Sequence, residues 1–313
     1  METTAKVIEI HKNVVFVKSQ NKNFMCRLGQ SLFREKTQEV FPCSVGDMVS
    51  IKDEIIQKVL PRDNRIYTRL SPYSSSNQKY SQDNVKFQTL CSNVDRLFLL
   101  ESYALIPKNY RFVEALLILC QQENIPCTLI LNKYDLRDKA SEALQKRQDY
   151  FKEMYESVGV SVCVFSSKYP KKYKETFVML KELLKDKITA IFGRSGVGKS
   201  SFVNLLGPEI LQTVDENPKE SSQGRHVTSF ATFLNIKKGG SIIDIPGKNQ
   251  FFLEKLQAFE LASCFPDFQG YSCHFKGNCT HILEPQCGIK EAVAAGKIHQ
   301  ERYESYSYFL KGS

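Results

Sequence analysis

The sequence predicts a multidomain chain: an N-terminal β-barrel of oligonucleotide-binding (OB) type, a central α/β P-loop domain and a C-terminal α-helical metal-binding domain. Three observations predict it. Short β-rich runs fill residues 1–70, continuous apolar runs alternate with amphipathic stretches from Val94 onward, and Cys273, Cys279 and Cys287 crowd one window with His281. At 313 residues the chain exceeds one average domain. Its 42% hydrophobic and 25% charged residues are globular proportions, which exclude wholesale disorder and collagen-like fibres. No apolar run approaches the roughly 18–20 residues of a membrane helix. The opening METTAKVIEI lacks a secretory signal's basic and apolar regions, so the expectation is a cytoplasmic protein without membrane attachment. A net charge of +9 favours polyanionic partners. Six cysteines from Cys26 to Cys163 are scattered singly, which is not a disulfide framework.

In the first part, AKVIEI, NVVFVKS, NFMCRL and DMVSIKDEI read as strands, and Val45-Gly46-Asp47 as a turn entering one. The basic residues Lys58, Arg62, Arg65 and Arg69 follow. A nucleic-acid-binding OB barrel and a generic five-stranded barrel fit equally well. Residues 71–88 are rich in Ser, Asn and Gln and lack apolar periodicity, the composition of a linker. The expected domains are therefore 1–70, a linker at 71–88, then 89–248 and 249–313.

The apolar runs DRLFLL, CTLILN, VSVCVFS, ITAIFG, FATFLNI and SIIDIPG read as strands of a mostly parallel sheet covered on both faces. Ligands of such sheets bind beyond the carboxyl ends of the strands. The helical tail is expected over Glu291–Ile298 and Glu301–Leu310.

Gly193-Arg194-Ser195-Gly196-Val197-Gly198-Lys199-Ser200 fits GxxxxGK[ST] between a strand and a helix. Its glycines let backbone N–H groups converge on phosphate oxygens, and the helix N-terminus adds a favourable field. Lys199 is expected on the β- and γ-phosphates and Ser200 on Mg²⁺. About 45 residues later Asp244-Ile245-Pro246-Gly247 ends a strand, where Asp244 would hold Mg²⁺ through water and the Gly247 N–H would meet the γ-phosphate. Between them Gly224–Ser229 occupies the position of a nucleotide-sensing switch, with Thr228 or its neighbour Ser229 as the second hydroxyl on Mg²⁺.

Asn132-Lys133-Tyr134-Asp135 follows the strand CTLIL. A carboxylate at Asp135 accepts guanine N1–H and the exocyclic amine, which adenine cannot offer. Lys133 would lie along the base, Asn132 would tie this loop to the phosphate loop, and Ser166-Ser167-Lys168 would bring donors to the guanine carbonyl. The base motif here precedes the phosphate motif, the reverse of ordinary GTPases, so the order is circularly permuted. Lys248 stands where many GTPases carry a water-orienting Gln. His226 is then the candidate for positioning water, directly or through a neighbour, the alternative being a histidine that only packs or contacts a partner. Cys273, Cys279, His281 and Cys287 form the complement of a closed structural zinc site, with His274 the competing nitrogen ligand.

The order NKYD, SSK, GRSGVGKSS, GRHVTS, DIPG, between a barrel and the tail CHFKGNCTHILEPQC, resembles the ribosome small subunit-dependent GTPase A family (RsgA, also called YjeQ). The resemblance implies an OB fold, a circularly permuted P-loop GTPase domain and a zinc-binding helical domain. It further implies a monomeric bacterial cytoplasmic GTPase that binds the 30S subunit and 16S rRNA and hydrolyses GTP to GDP late in subunit maturation. By that analogy Asn132–Asp135 and Gly193–Ser201, including Tyr134 and Ser201, bind GTP, and His226 serves hydrolysis. The chain departs from the family pattern by Val227 after His226 and Lys248 after DIPG. The competing reading is a guanine-nucleotide-regulated OB/zinc RNA-binding adaptor with incidental hydrolysis. A metabolic phosphotransferase lacks an acceptor-pocket motif.

Overall fold

The computed structural model describes residues 2–11, 14–20, 22–33, 38–70, 86–209, 231–237, 239–275 and 277–312. Strands β1 (Thr3–His11), β2 (Val14–Ser19), β3 (Lys22–Leu28), β4 (Met48–Lys52) and β5 (Ile55–Val59) close a barrel in the order β1-β2-β3-β5-β4. Val7, Ile10, Val15, Val17, Cys26, Val49 and Ile56 are buried in it, while Arg27, Gln57 and Lys58 beside them face water, the alternation of strands with one wet face. DMVSIKDEI, expected as one strand, is the β4–β5 hairpin. Asp53 and Glu54 sit at φ 51° and 58°, the two successive left-handed residues of a I′ turn. No glycine marks that turn.

Outside the barrel, β6 (Arg65–Arg69) pairs antiparallel with β7 (Phe87–Ser92) as a two-stranded ribbon. The last two residues of the stretch expected as linker thus belong to β7. Two of the four basic residues expected there, Arg62 and Arg65, are neutralised by carboxylates. Arg62 grips Asp47 at 2.7 and 2.9 Å and Glu39 at 2.5 Å, and Arg65 reaches Glu39 at 2.7 Å.

Strands β8 (Arg96–Ser102), β9 (Cys127–Asn132), β10 (Ser161–Val164), β11 (Ile188–Gly193), β12 (Pro208–Glu209), β13 (Thr232–Ile236) and β14 (Ser241–Asp244) form one sheet, ordered β10-β9-β8-β11-β14-β13-β12. The first five of that order are parallel and the last two antiparallel. Successive residues of β8 serve opposite faces. Leu97 and Leu99 pack with Val113, Leu116, Phe151 and Met154 of α1 (Ile106–Gln122) and α2 (Glu142–Ser157). Phe98 and Leu100 pack with Leu180, Leu184, Phe202 and Leu206 of α3 (Lys174–Leu184) and α4 (Lys199–Leu206). Two buried faces explain why the strands read as unbroken apolar runs.

The tail carries α5 (Ala258–Ser263), α6 (Gly288–Ala294) and α7 (Gln300–Lys311). Arg302 of α7 is buried against Glu114 of α1 and reaches Asp267 at 2.8 Å, while Tyr150 of α2 donates to Glu301 at 2.5 Å. Among the described residues no helix is long and apolar enough to cross a membrane.

Candidate nucleotide and metal sites

Because five strands run parallel, the carboxyl ends of β9, β11 and β14 share one edge, and each carries a motif residue: Asn132, Gly193 and Asp244. The base and phosphate loops meet there despite their swapped order. Asn132 is fully buried; its Nδ2 donates to Val197 O at 2.9 Å, and its Oδ1 accepts from Ser167 N at 2.9 Å and Ser167 Oγ at 3.1 Å. One amide therefore joins three loops. Lys133, at φ 58°, donates from Nζ to Gly196 O at 2.5 Å. Ser166 Oγ donates to Asp135 Oδ1 at 2.5 Å, fixing the carboxylate that would read guanine. Tyr134 packs edge-on against Tyr103, with ring centroids 4.8 Å apart.

The phosphate loop needs its glycines for contact as well as for backbone shape. Gly198 sits at φ 91°, and a Cβ there would lie 2.4 Å from Asn132 Nδ2, so a side chain would break the joint between the two motifs. Val197 is buried beneath the loop, while Ser195, Gly196, Ser200 and Ser201 face solvent. Arg194 lies over the Phe112 ring at 5.8 Å. Lys199 forms an ion pair with Asp244 Oδ1, placing the two motif charges in contact. Gly247 approaches the loop so closely that a Cβ would stand 3.2 Å from both Gly193 O and Ser195 N. His226 and Thr228, with the rest of Gly224–Ser229, lie outside the described residues.

Residues of α2 that sequence reasoning passed over brace the base loop. Asp149 pairs with Arg137 at 2.8 Å, Gln145 donates to Arg137 O at 2.9 Å and Ala140 O at 3.0 Å, and Gln148 donates to Tyr103 O at 2.6 Å. Gln148 is fully buried, and an amide on the apolar stripe of a helix is the signal that could have found it.

In the tail, Cys273, Cys279, His281 and Cys287 place their ligand atoms within 4.8 Å of one another, so the cluster can hold a metal ion. Cys273 Sγ lies 3.7 Å from Cys287 Sγ, and His281 Nδ1 lies 3.5 and 3.4 Å from the two sulfurs. A tetrahedral ion with metal–sulfur bonds of about 2.3 Å has sulfur–sulfur edges of about 3.8 Å. The exposed His274 instead stacks edge-on against Phe275 at 5.0 Å. Glu284, also passed over, accepts from Thr280 N at 2.9 Å, Thr280 Oγ1 at 2.7 Å and Ile282 N at 3.2 Å. Those donors hold its carboxyl down at about 2 and clamp the loop that presents His281 in a left-handed conformation at φ 62°.

Comparison with known proteins decides the assignment. The model of the RsgA GTPase family matches residues 73–254, more than half of the chain. The chain belongs to the RsgA GTPase family. It is 31% identical over 300 residues to the small ribosomal subunit biogenesis GTPase RsgA of Flavobacterium psychrophilum, covering 95% of this chain and 89% of that one. The RsgA of Thermotoga petrophila is 29% identical over 308 residues, covering 96% and 93%. The crystal structure of YjeQ from Thermotoga maritima superposes with a TM-score of 0.70 at 26% identity over the whole of both chains. YloQ, described as a circularly permuted GTPase, shares the fold with a TM-score of 0.64 at 22% identity, covering 99% and 94%. As an RsgA GTPase the chain is a GTP hydrolase, with a barrel at one end and a metal-competent Cys/His cluster at the other.

Proposed function

We propose that this RsgA-family GTPase acts in biogenesis of the small ribosomal subunit, binding the 30S particle and 16S rRNA as a cytoplasmic monomer and turning over GTP to GDP to time its own release. The observation that carries the reading is the Asn132 amide bridging the base loop to Val197 of the phosphate loop, in a chain about 31% identical to a small ribosomal subunit biogenesis GTPase. Asn132, Lys133, Tyr134 and Asp135 with Ser166 and Ser167 take the guanine. Gly193, Arg194, Ser195, Gly196, Val197, Gly198, Lys199, Ser200 and Ser201 take the phosphates, and Gly247 offers its N–H to the γ-phosphate.

The donor set suits Mg²⁺: Ser200, Thr228 and, through water, Asp244 would hold it, and when bound it neutralises charge on the phosphate oxygens. Lys199 contributes a second cation there. Because Lys248 replaces the water-orienting Gln, His226 is assigned to the attacking water, directly or through a neighbour. Three thiolates and one imidazole with tetrahedral edges suit Zn²⁺ in a closed structural role, since four protein ligands leave no position for water. The functional division follows residues 1–70 for RNA, 89–248 for GTP and 249–313 for the zinc-bearing tail.

The test is single-turnover hydrolysis of GTP and ATP with and without purified 30S particles. GTP-only turnover raised by the particles is expected. Turnover indifferent to 30S would favour the regulated adaptor, and equal use of ATP would remove the role of Asp135.

A further inference from the structure

We propose that the β6–β7 ribbon is a positioning element for GTP hydrolysis, in which Gln88 acting through Lys248, and Thr68 acting through Phe252, fix the backbone that follows Gly247. The inference rests on the nucleotide-site assignment above and adds residues that lie outside every GTP-binding motif.

Residues 245–257 contain no helix or strand, so side-chain and bridging contacts must set their path. Three are made by Lys248 and Phe252. The Lys248 ammonium donates to Gln88 Oε1 of β7 at 2.7 Å. Phe252 N donates to Thr68 Oγ1 of β6 at 3.0 Å, and Arg69 N donates to Phe252 O at 2.8 Å. Phe251 turns the other way, against Phe192 of the phosphate-loop strand at 6.0 Å and Phe112 at 6.5 Å. The Lys248 side chain thus runs from the phosphate edge to the ribbon. Burial pushes its ammonium down from the usual lysine range, and a neutral amide oxygen receives it. A charge-assisted bond in such surroundings is directional and stronger than a neutral one.

The position that many GTPases give to a water-orienting Gln is here a tether. Its action is geometric: it restricts where the Gly247 N–H can stand relative to Gly193 and Ser195, which lie within van der Waals reach. Small displacements of such a donor cost rate before they cost binding. The ribbon is itself fixed to the barrel. Ser92 N donates to Val45 O at 3.0 Å, and Ser92 Oγ donates to Asp47 at 2.5 Å.

The experiment uses the full chain without ribosomal particles and compares Gln88→Ala, Lys248→Met, their double, Lys248→Arg and Thr68→Val. Readouts are kcat and KM for GTP, affinity for a fluorescent GDP, and hydrogen exchange over residues 247–253. Each single removal is expected to lower kcat about three- to tenfold while KM and GDP affinity stay within about twofold. The double should be no slower than the slower single, because both break one interaction. Lys248→Arg should restore most of the rate, and exchange over 247–253 should quicken in Gln88→Ala. Unchanged kcat with unchanged exchange, additive losses in the double, or a parallel fall in GDP affinity would overturn the proposal. A wild type that fails to hydrolyse GTP would sink the nucleotide-site reading instead, and the exchange arm would still judge the ribbon.

Discussion

Two buried carboxylates join the outer parts of this molecule to its centre, and they are solvated by protein in different ways. Asp47, at the joint of barrel and ribbon, accepts from Ser44 N at 2.8 Å, from Arg62 at 2.7 and 2.9 Å and from Ser92 Oγ at 2.5 Å. Both of its oxygens are served twice. Glu114, at the joint of α1 and α7, is met by Arg302 through one oxygen, with Tyr155 alongside. Burial pushes its carboxyl up to about 7 in spite of that cation. Full hydrogen bonding makes a buried charge part of the framework, whereas a single ionic partner leaves a joint that responds to protons.

The largest expected effect breaks the saturated joint. Asp47→Ala leaves the Arg62 guanidinium with Glu39 alone and strands two further donors, Ser44 N and Ser92 Oγ, and a loss of about 3–5 kcal/mol should appear as a marked fall in unfolding temperature. Arg302→Met should cost less, about 2–3 kcal/mol near neutral pH, because Glu114 can take up a proton where Asp47's partners cannot adapt. Limited proteolysis of the tail reads that loss separately from the barrel. The third effect is one of pH. Glu114 in the folded chain binds its proton more tightly than in the unfolded chain. Its stabilising contribution is therefore complete below the unfolded value near 4.5 and is lost as pH rises through about 7. Glu114→Gln should flatten thermal stability across that window, and a slope identical to wild type would show that the joint does not titrate. Smallest of all, Lys146→Ala, which removes the exposed pair with Glu142 on α2, should change stability by less than about 0.5 kcal/mol and serves as the surface control.

What the sequence made legible follows the same division between local and distant partners. Parallel strands buried on both faces read directly as CTLILN and ITAIFG, and the glycine and lysine spacing of the phosphate loop is itself local. The Asn132–Asp135 loop was equally readable as a motif at the end of a buried strand, where Asn132 meets Val197 of the phosphate motif. The ribbon was not. Its strands pair residues 65–69 with 87–92 across a Ser- and Asn-rich stretch, and nothing in either strand's own pattern names the other. The partners of Arg62 and Arg65 were equally hidden, because Glu39 and Asp47, which hold them, lie 15 to 26 positions away. The β4–β5 hairpin was hidden because Asp53 and Glu54 adopt a conformation that composition assigns to Asn-Gly.

The bridge between Thr68 and Phe252 spans 184 positions, so the points where the chain enters and leaves its nucleotide-binding sheet are stitched side by side. Topologically the sheet is an insert within a structure made of barrel, ribbon and tail. Such a stitch forms only after the whole insert has been synthesised and has closed a long loop, which makes it a late event in folding. A nascent chain released before Phe252 emerges would carry a barrel and a ribbon whose Thr68 still lacks its backbone partner, and completion of that seam would mark the moment the enzyme becomes one body.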